Sequence, residues 1–167
     1  MNHFQLFNLP QTFAIDSAAL DTQYRRLQSE VHPDRFTAGS DAEKLQSLQS
    51  ATQANDAYQT LKNPLQRARY LLKLKGLDTQ EESNTAMPKA FLMQQMEWRE
   101  AIEEAGDVAQ LEALQHEILD AEKTLQTKLR LALDQNDDAV ATENVRQLSF
   151  MDKLLSEIDS AIEQRES

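Results

Sequence analysis

Apolar side chains recur along almost the whole of this chain at intervals of three and four residues, and each run is closed by a proline, a glycine or a cluster of small polar residues. That spacing lines up on one face of an α-helix and would scatter over both faces of a strand, so the pattern commits the chain to an all-α fold. Composition agrees: 3 Gly and 4 Pro in 167 residues leave few breaks, and 6% aromatic residues are too few for a typical β-rich core.

The order of the helices follows from their punctuation. Phe4, Leu6, Phe7 and Leu9 make a short apolar segment stopped by Pro10, which predicts one brief helix. Asp16 or Ser17 can cap a longer one, with Leu20, Tyr24, Leu27 and Val31 on one face. Pro33 ends it, because the residue before a proline is pushed out of the α region, and the stretch 32–40 reads as a loop. A helix starting at Asp41 is expected to bury Leu45, Leu48, Ala51, Tyr58 and Leu61. Asn63-Pro64 ends that helix and caps the next, which runs through Leu65, Ala68, Leu71, Leu72 and Leu74 to Gly76. Residues 77–87 offer little to bury and are expected as a linker.

Beyond the linker, Pro88 opens a helix through Glu104, with Gly106 as its stop and Asp107 as the next cap. A long helix then carries Leu111, Leu114, Ile118, Ala121, Leu125 and Ala132, ending near Gln135-Asn136-Asp137-Asp138. The last carries Val145, Leu148, Met151, Leu155, Ile158 and Ile162. Three amphipathic helices joined by short breaks bury their stripes against one another. Residues 88–167 are therefore expected as an antiparallel three-helix bundle, and residues 1–76 as a separate helical unit.

Charge separates the same two parts. Residues 1–76 hold nine Lys/Arg and seven Asp/Glu, a net +2, whereas residues 77–167 hold eight and twenty-one, a net −13. So acidic a second half repels nucleic acid and anionic lipid, and neither is expected as a partner. No apolar run is long enough to span a membrane, and the first residues lack the pattern of a signal peptide, so a cytoplasmic location is expected. Without cysteine the chain has no disulfide, no thiolate metal site and no cysteine nucleophile. His3, His32 and His116 lie in separate segments without metal-ligand spacing, and no Gly-rich loop cradles a phosphate. No catalytic residue, metal or cofactor is expected, and the chain reads as an interaction protein.

The loop after the second helix carries the sharpest motif, His32-Pro33-Asp34. Pro33 fixes its own φ and restricts His32, so the tip holds a defined shape. His32 can donate and accept, and Asp34 offers a carboxylate that can pair with an arginine on a partner. Arg25 and Arg26 lie off the apolar face, where exposed charge steers association more than it adds affinity. Tyr24 is placed to pack through its ring while its hydroxyl reaches toward the surface.

Together, Tyr24-Arg25-Arg26-Leu27, His32-Pro33-Asp34-Arg35 and Asn55-Asp56-Ala57-Tyr58-Gln59-Thr60-Leu61 before Asn63-Pro64 resemble the J-domain family. That resemblance implies a helical hairpin whose tripeptide contacts a DnaK-type chaperone ATPase and promotes its ATP hydrolysis. Tyr24, Arg25, Arg26, His32, Pro33, Asp34 and Arg35 are the implied contact residues.

In the second half, Phe91, Trp98 and Ile102 form a core row on the first bundle helix. Leu92 and Met96 form a second apolar pair, either core or surface, beside a row of Met93, Glu97, Glu100 and Glu104. Phe150 falls off the Val145-Leu148-Met151-Leu155 stripe, among Arg146, Lys153 and Glu157, and is expected stranded on a polar face.

Phe36, Arg67-Ala68-Arg69-Tyr70-Leu71-Leu72 and Ala90-Phe91-Leu92-Met93 extend the resemblance to the HscB family over essentially the whole chain. It implies a co-chaperone of iron-sulfur cluster assembly that brings an IscU-type scaffold to an HscA-type ATPase. The implied scaffold surface is Leu92, Met93, Met96, Glu97, Glu100, Glu104 and Phe150, with Met96 where leucine is expected in relatives. A J-domain adaptor for some other client is the alternative.

Overall fold

The computed structural model describes residues 1–32, 34, 38–79 and 87–166. Among them are seven helices and no strand: α1 (His3–Leu6), α2 (Ser17–Val31), α3 (Asp41–Lys62), α4 (Pro64–Leu74), α5 (Lys89–Glu104), α6 (Val108–Asp134) and α7 (Asp138–Glu166). They group into two compact units, Met1–Lys75 and Gly76–Ser167.

Side chains at the helix starts explain the boundaries of the first unit. Asn2 and Gln5 form a reciprocal capping box on α1. The Asp16 carboxylate accepts from the Ala18 and Ala19 N–H groups at 3.0 and 3.1 Å, and the Ser40 hydroxyl oxygen accepts from Glu43 N–H at 3.2 Å. Asn63 caps α4 with Pro64 in its first turn, and Gly76 leaves that helix at φ +81, the left-handed region that suits glycine.

α2 and α3 form an antiparallel hairpin. Tyr24 stacks on Tyr58 with centroids 4.0 Å apart, and one turn away the Tyr58 hydroxyl and Lys62 Nζ donate to Asp21 at 2.7 and 2.8 Å. Phe4, Phe7, Leu20, Ala57, Leu61, Ala68 and Leu72 fill the core against this hairpin. Arg67 is buried with them, donating to the Leu61 carbonyl at 2.7 Å beneath the Phe13 ring.

The expected face of α3 needs correction. Leu45 and Leu48 are more than half exposed, and the buried positions are Ser47, Ala54, Ala57 and Leu61. Small residues let α3 approach α2 closely: the Ser47 hydroxyl donates to the Val31 carbonyl at the end of α2. A leucine there would hold the helices apart, so the two leucines face away.

The second unit is the three-helix bundle, with Trp98, Leu111, Ile118, Leu125, Leu129, Val145, Leu148, Leu154 and Ile158 at its centre. Its α6–α7 turn has Asn136 at φ +57, and the Asp137 N–H donates to the Ala132 carbonyl at 2.8 Å. Gly106 does not act through left-handed backbone. Ala105 leaves α5 extended, at φ −60 and ψ 123. Arg165 of α7 then donates to the Ala105 and Gly106 carbonyls at 2.5 and 2.8 Å.

α7 is also more deeply buried than one stripe predicts. Asn144, Ser149, Phe150 and Leu154 join its buried set, while Leu155 and Ile162 are half-buried. Of the expected linker, 80–86 lies outside the described residues. Thr79 and Met87 on either side are buried, and Arg146 donates to the Thr79 carbonyl at 2.5 Å. The polar composition of that stretch gave no sign of those anchors, because a backbone carbonyl and one methionine supply them.

Candidate functional site

Each unit presents its own surface. On the first, α2 ends at Val31 and His32 continues in extended backbone, φ −60 and ψ 134, as the following proline requires. The side chains of His32 and Asp34 are 55% and 87% exposed. The Asp34 N–H donates to His32 Nδ1 at 3.2 Å, and the same nitrogen lies 3.5 Å from Asp34 Oδ2, so the two side chains are held together at the tip. Pro33 and Arg35 lie outside the described residues.

Arg25 and Arg26 are exposed on α2, with Arg26 Nε 3.4 Å from the Glu30 carboxylate one turn on. Tyr24 faces elsewhere. Its ring sits between Tyr58 and Phe7, and its hydroxyl donates to Asn55 Oδ1 at 3.1 Å and accepts from Gln28 Nε2 at 3.1 Å. The hydroxyl is thus held where α2 pairs with α3, on a side chain that stays half-exposed.

On the second unit, α5 turns Met93 and Met96 outward, 54% and 62% exposed, with Glu97, Glu100 and Glu104 exposed along the same side and Leu92 half-buried beside them. None of the three glutamates makes an ion pair among the described residues. Phe150 was expected exposed and is not: 7% of it is accessible. Its ring lies 6.4 Å from that of Phe91 on α5, and Lys153 Nζ lies 5.3 Å over it. α7 is covered by two helices, so a residue off its main stripe is buried by the second. Phe150 thus packs between α7 and α5 beside Phe91.

Two further features escaped the sequence reading. Trp98 Nε1 donates to Glu117 Oε2 on α6 at 3.1 Å, a link across elements that spacing cannot reveal. Glu122 of α6 is part-buried beside Asp152 of α7, and burial together with that carboxylate raises its pKa to about 7. Its position between Ile118 and Leu125 is a legible signal, an acidic residue inside a core stripe. Among the described residues no group of three or more acidic or histidine side chains is placed to hold a metal ion, and no helix is long and apolar enough to cross a membrane.

Comparison with known proteins gives concordant results. A family model described as the HSCB C-terminal oligomerisation domain matches residues 87–159. The Co-chaperone protein HscB homolog of Paraburkholderia phymatum is 53% identical over 97% of this chain and 94% of its own length. That of Burkholderia thailandensis is 52% identical over 99% and 96%. Among solved structures, HscB from Vibrio cholerae superposes with a TM-score of 0.87 at 38% identity, over 98% of this chain and 99% of that one. The human co-chaperone HscB does so with a TM-score of 0.93 at 32% identity, over 96% and 81%. A helical hairpin unit and an acidic three-helix bundle, matched along their full length, are the architecture of a co-chaperone. More narrowly, the chain belongs to the HscB family.

Proposed function

We propose that the first unit engages a DnaK-type chaperone ATPase of the HscA kind and stimulates its ATP hydrolysis, while the bundle holds an IscU-type iron-sulfur scaffold and delivers it to that chaperone. The observation that carries this reading is a pair of exposed surfaces of opposite chemistry on separate units. One is His32 and Asp34 below the Arg25 and Arg26 face of α2, and the other is Met93 and Met96 bordered by Glu97, Glu100 and Glu104.

On the first surface, Asp34 offers a carboxylate to a partner arginine, and the exposed His32 imidazole can donate and accept. Arg25 and Arg26 speed the encounter by attraction to an acidic partner face. Pro33 and Arg35 belong to this contact by their place in the sequence motif. Tyr24 contributes by holding α2 against α3. On the second surface, methionines adapt to an apolar partner patch, half-buried Leu92 adds apolar area beside them, and Phe150 belongs to the contact by its place in the family resemblance. The glutamates select a partner with basic edges.

The chain itself performs no catalysis, ATP chemistry belongs to the chaperone, and the iron-sulfur cluster is the scaffold's cargo. The setting is the cytoplasm, with neither nucleic acid nor membrane as partner. Capture of partners from cell extract at low and moderate salt tests the reading. Recovery of a chaperone ATPase and a small cysteine-bearing scaffold supports it, and retrieval of neither would sink it.

A further inference from the structure

The acidic side of α5 does not end at its own edge. α5 and α6 are joined by a short turn and run antiparallel, with Trp98 opposite Glu117, and between them lies an open groove of about 470 Å³. Ala101, Ala105, Ala113 and Leu114 line it, and Glu104 and Glu117 stand in its walls. The Trp98–Glu117 pairing places Glu104 level with about residue 111, so the two carboxylates are roughly 9 Å apart along the helix axes.

We propose that the scaffold contact continues off α5 into this groove, where a partner segment with small or aliphatic side chains lies on the alanine floor and sets lysine or arginine side chains against Glu104 and Glu117. This rests on the reading of the bundle as the scaffold-binding unit and extends it to α6.

Three observations support that occupant. Glu117 is held in place by a neutral donor, the Trp98 indole N–H, so its charge is oriented and not cancelled. Arg99, on the same helix as Glu104, is paired with Glu157 at 2.9 Å and so does not neutralise the groove carboxylates. Glu104 belongs both to the groove and to the exposed row with Glu97 and Glu100, so a partner seated on Met93 and Met96 meets one continuous acidic edge. A second copy of this chain fits poorly, because it would bring another half of net charge −13.

The test is calorimetric titration of purified cluster-free scaffold into the full chain and its variants. Ala113→Gln fills the groove without altering charge or touching the α5 row. Glu117→Gln removes the charge and keeps an acceptor for Trp98, so it reads the groove even if the first variant folds poorly. Each should bind about fivefold more weakly or worse, and for Glu117→Gln the deficit should shrink as salt is raised. Two results overturn the proposal alone: wild-type affinity in both variants while Met96→Ala fails to bind, or a changed oligomeric state in Ala113→Gln with scaffold affinity intact. If the unmodified chain binds no scaffold, the reading of the bundle falls and the groove assignment with it.

Discussion

A carboxylate buried beside another carboxylate holds its proton, and Glu122 against Asp152 is that case. Its folded pKa of about 7 lies above the ordinary 4.5, so the protonated pair stabilises the fold fully below about 4.5 and that contribution is lost as pH rises through 7. Glu122→Gln should therefore unfold at a higher temperature than wild type at pH 8 and lose the advantage in mild acid. The gain is about 1 kcal/mol, smaller than the full shift implies because the group is part-open to water. Thermal melts across pH measure it, and equal melting curves at pH 8 would show that the pair does not share a proton. At this scale the row of Met93, Glu97, Glu100 and Glu104 was legible from spacing, whereas Met96 was left open between core and surface and Phe150 was misplaced. A helical wheel shows which residues share a face, and cannot show that α7 is covered on two sides. Phe150→Ala should accordingly cost stability of roughly 3 kcal/mol, as truncation of a core aromatic does, whereas exposed Met96→Ala should leave the unfolding midpoint nearly unchanged. A Phe150→Ala protein as stable as wild type would place that ring back on the surface.

Among the elements, α2 and α3 depend on one another. The Tyr24–Tyr58 stack and the Lys62–Asp21 ion pair fix their register, which leaves Arg25 and Arg26 on the free side of α2. The double change Arg25→Ala with Arg26→Ala should slow association with the chaperone severalfold at low salt, with little change in dissociation, and added salt should erase the difference. Stopped-flow binding checks it, and an association rate unaffected by both changes would make these arginines an idle face. Helix limits were readable because Asp16, Asn63 and Asp107 are capping residues in sequence as in structure. The buried face of α3 was hidden for a related reason: close helix packing selects Ser47, Ala54 and Ala57, which carry little hydrophobic signal, over the more conspicuous Leu45 and Leu48.

In the whole molecule, the two compact units differ sharply in charge, a net +2 on Met1–Lys75 against −13 on Gly76–Ser167. Under the proposed function each unit meets its own partner, and the difference in charge suits that division. The division was legible because composition changes there, whereas the anchors at Thr79 and Met87 were not, since packing of a single backbone carbonyl or side chain leaves no periodic trace. If the units act separately, damage to one surface must spare the other. Asp34→Asn is the cleanest such lesion, for Asp34 is exposed and its substitution should alter stability by no more than about 0.5 kcal/mol. The decisive measurement is steady-state ATP hydrolysis by the HscA-type chaperone with this variant, alongside scaffold titration on the same sample. The account predicts stimulation lost with scaffold affinity unchanged; a variant that stimulates as wild type does would contradict it.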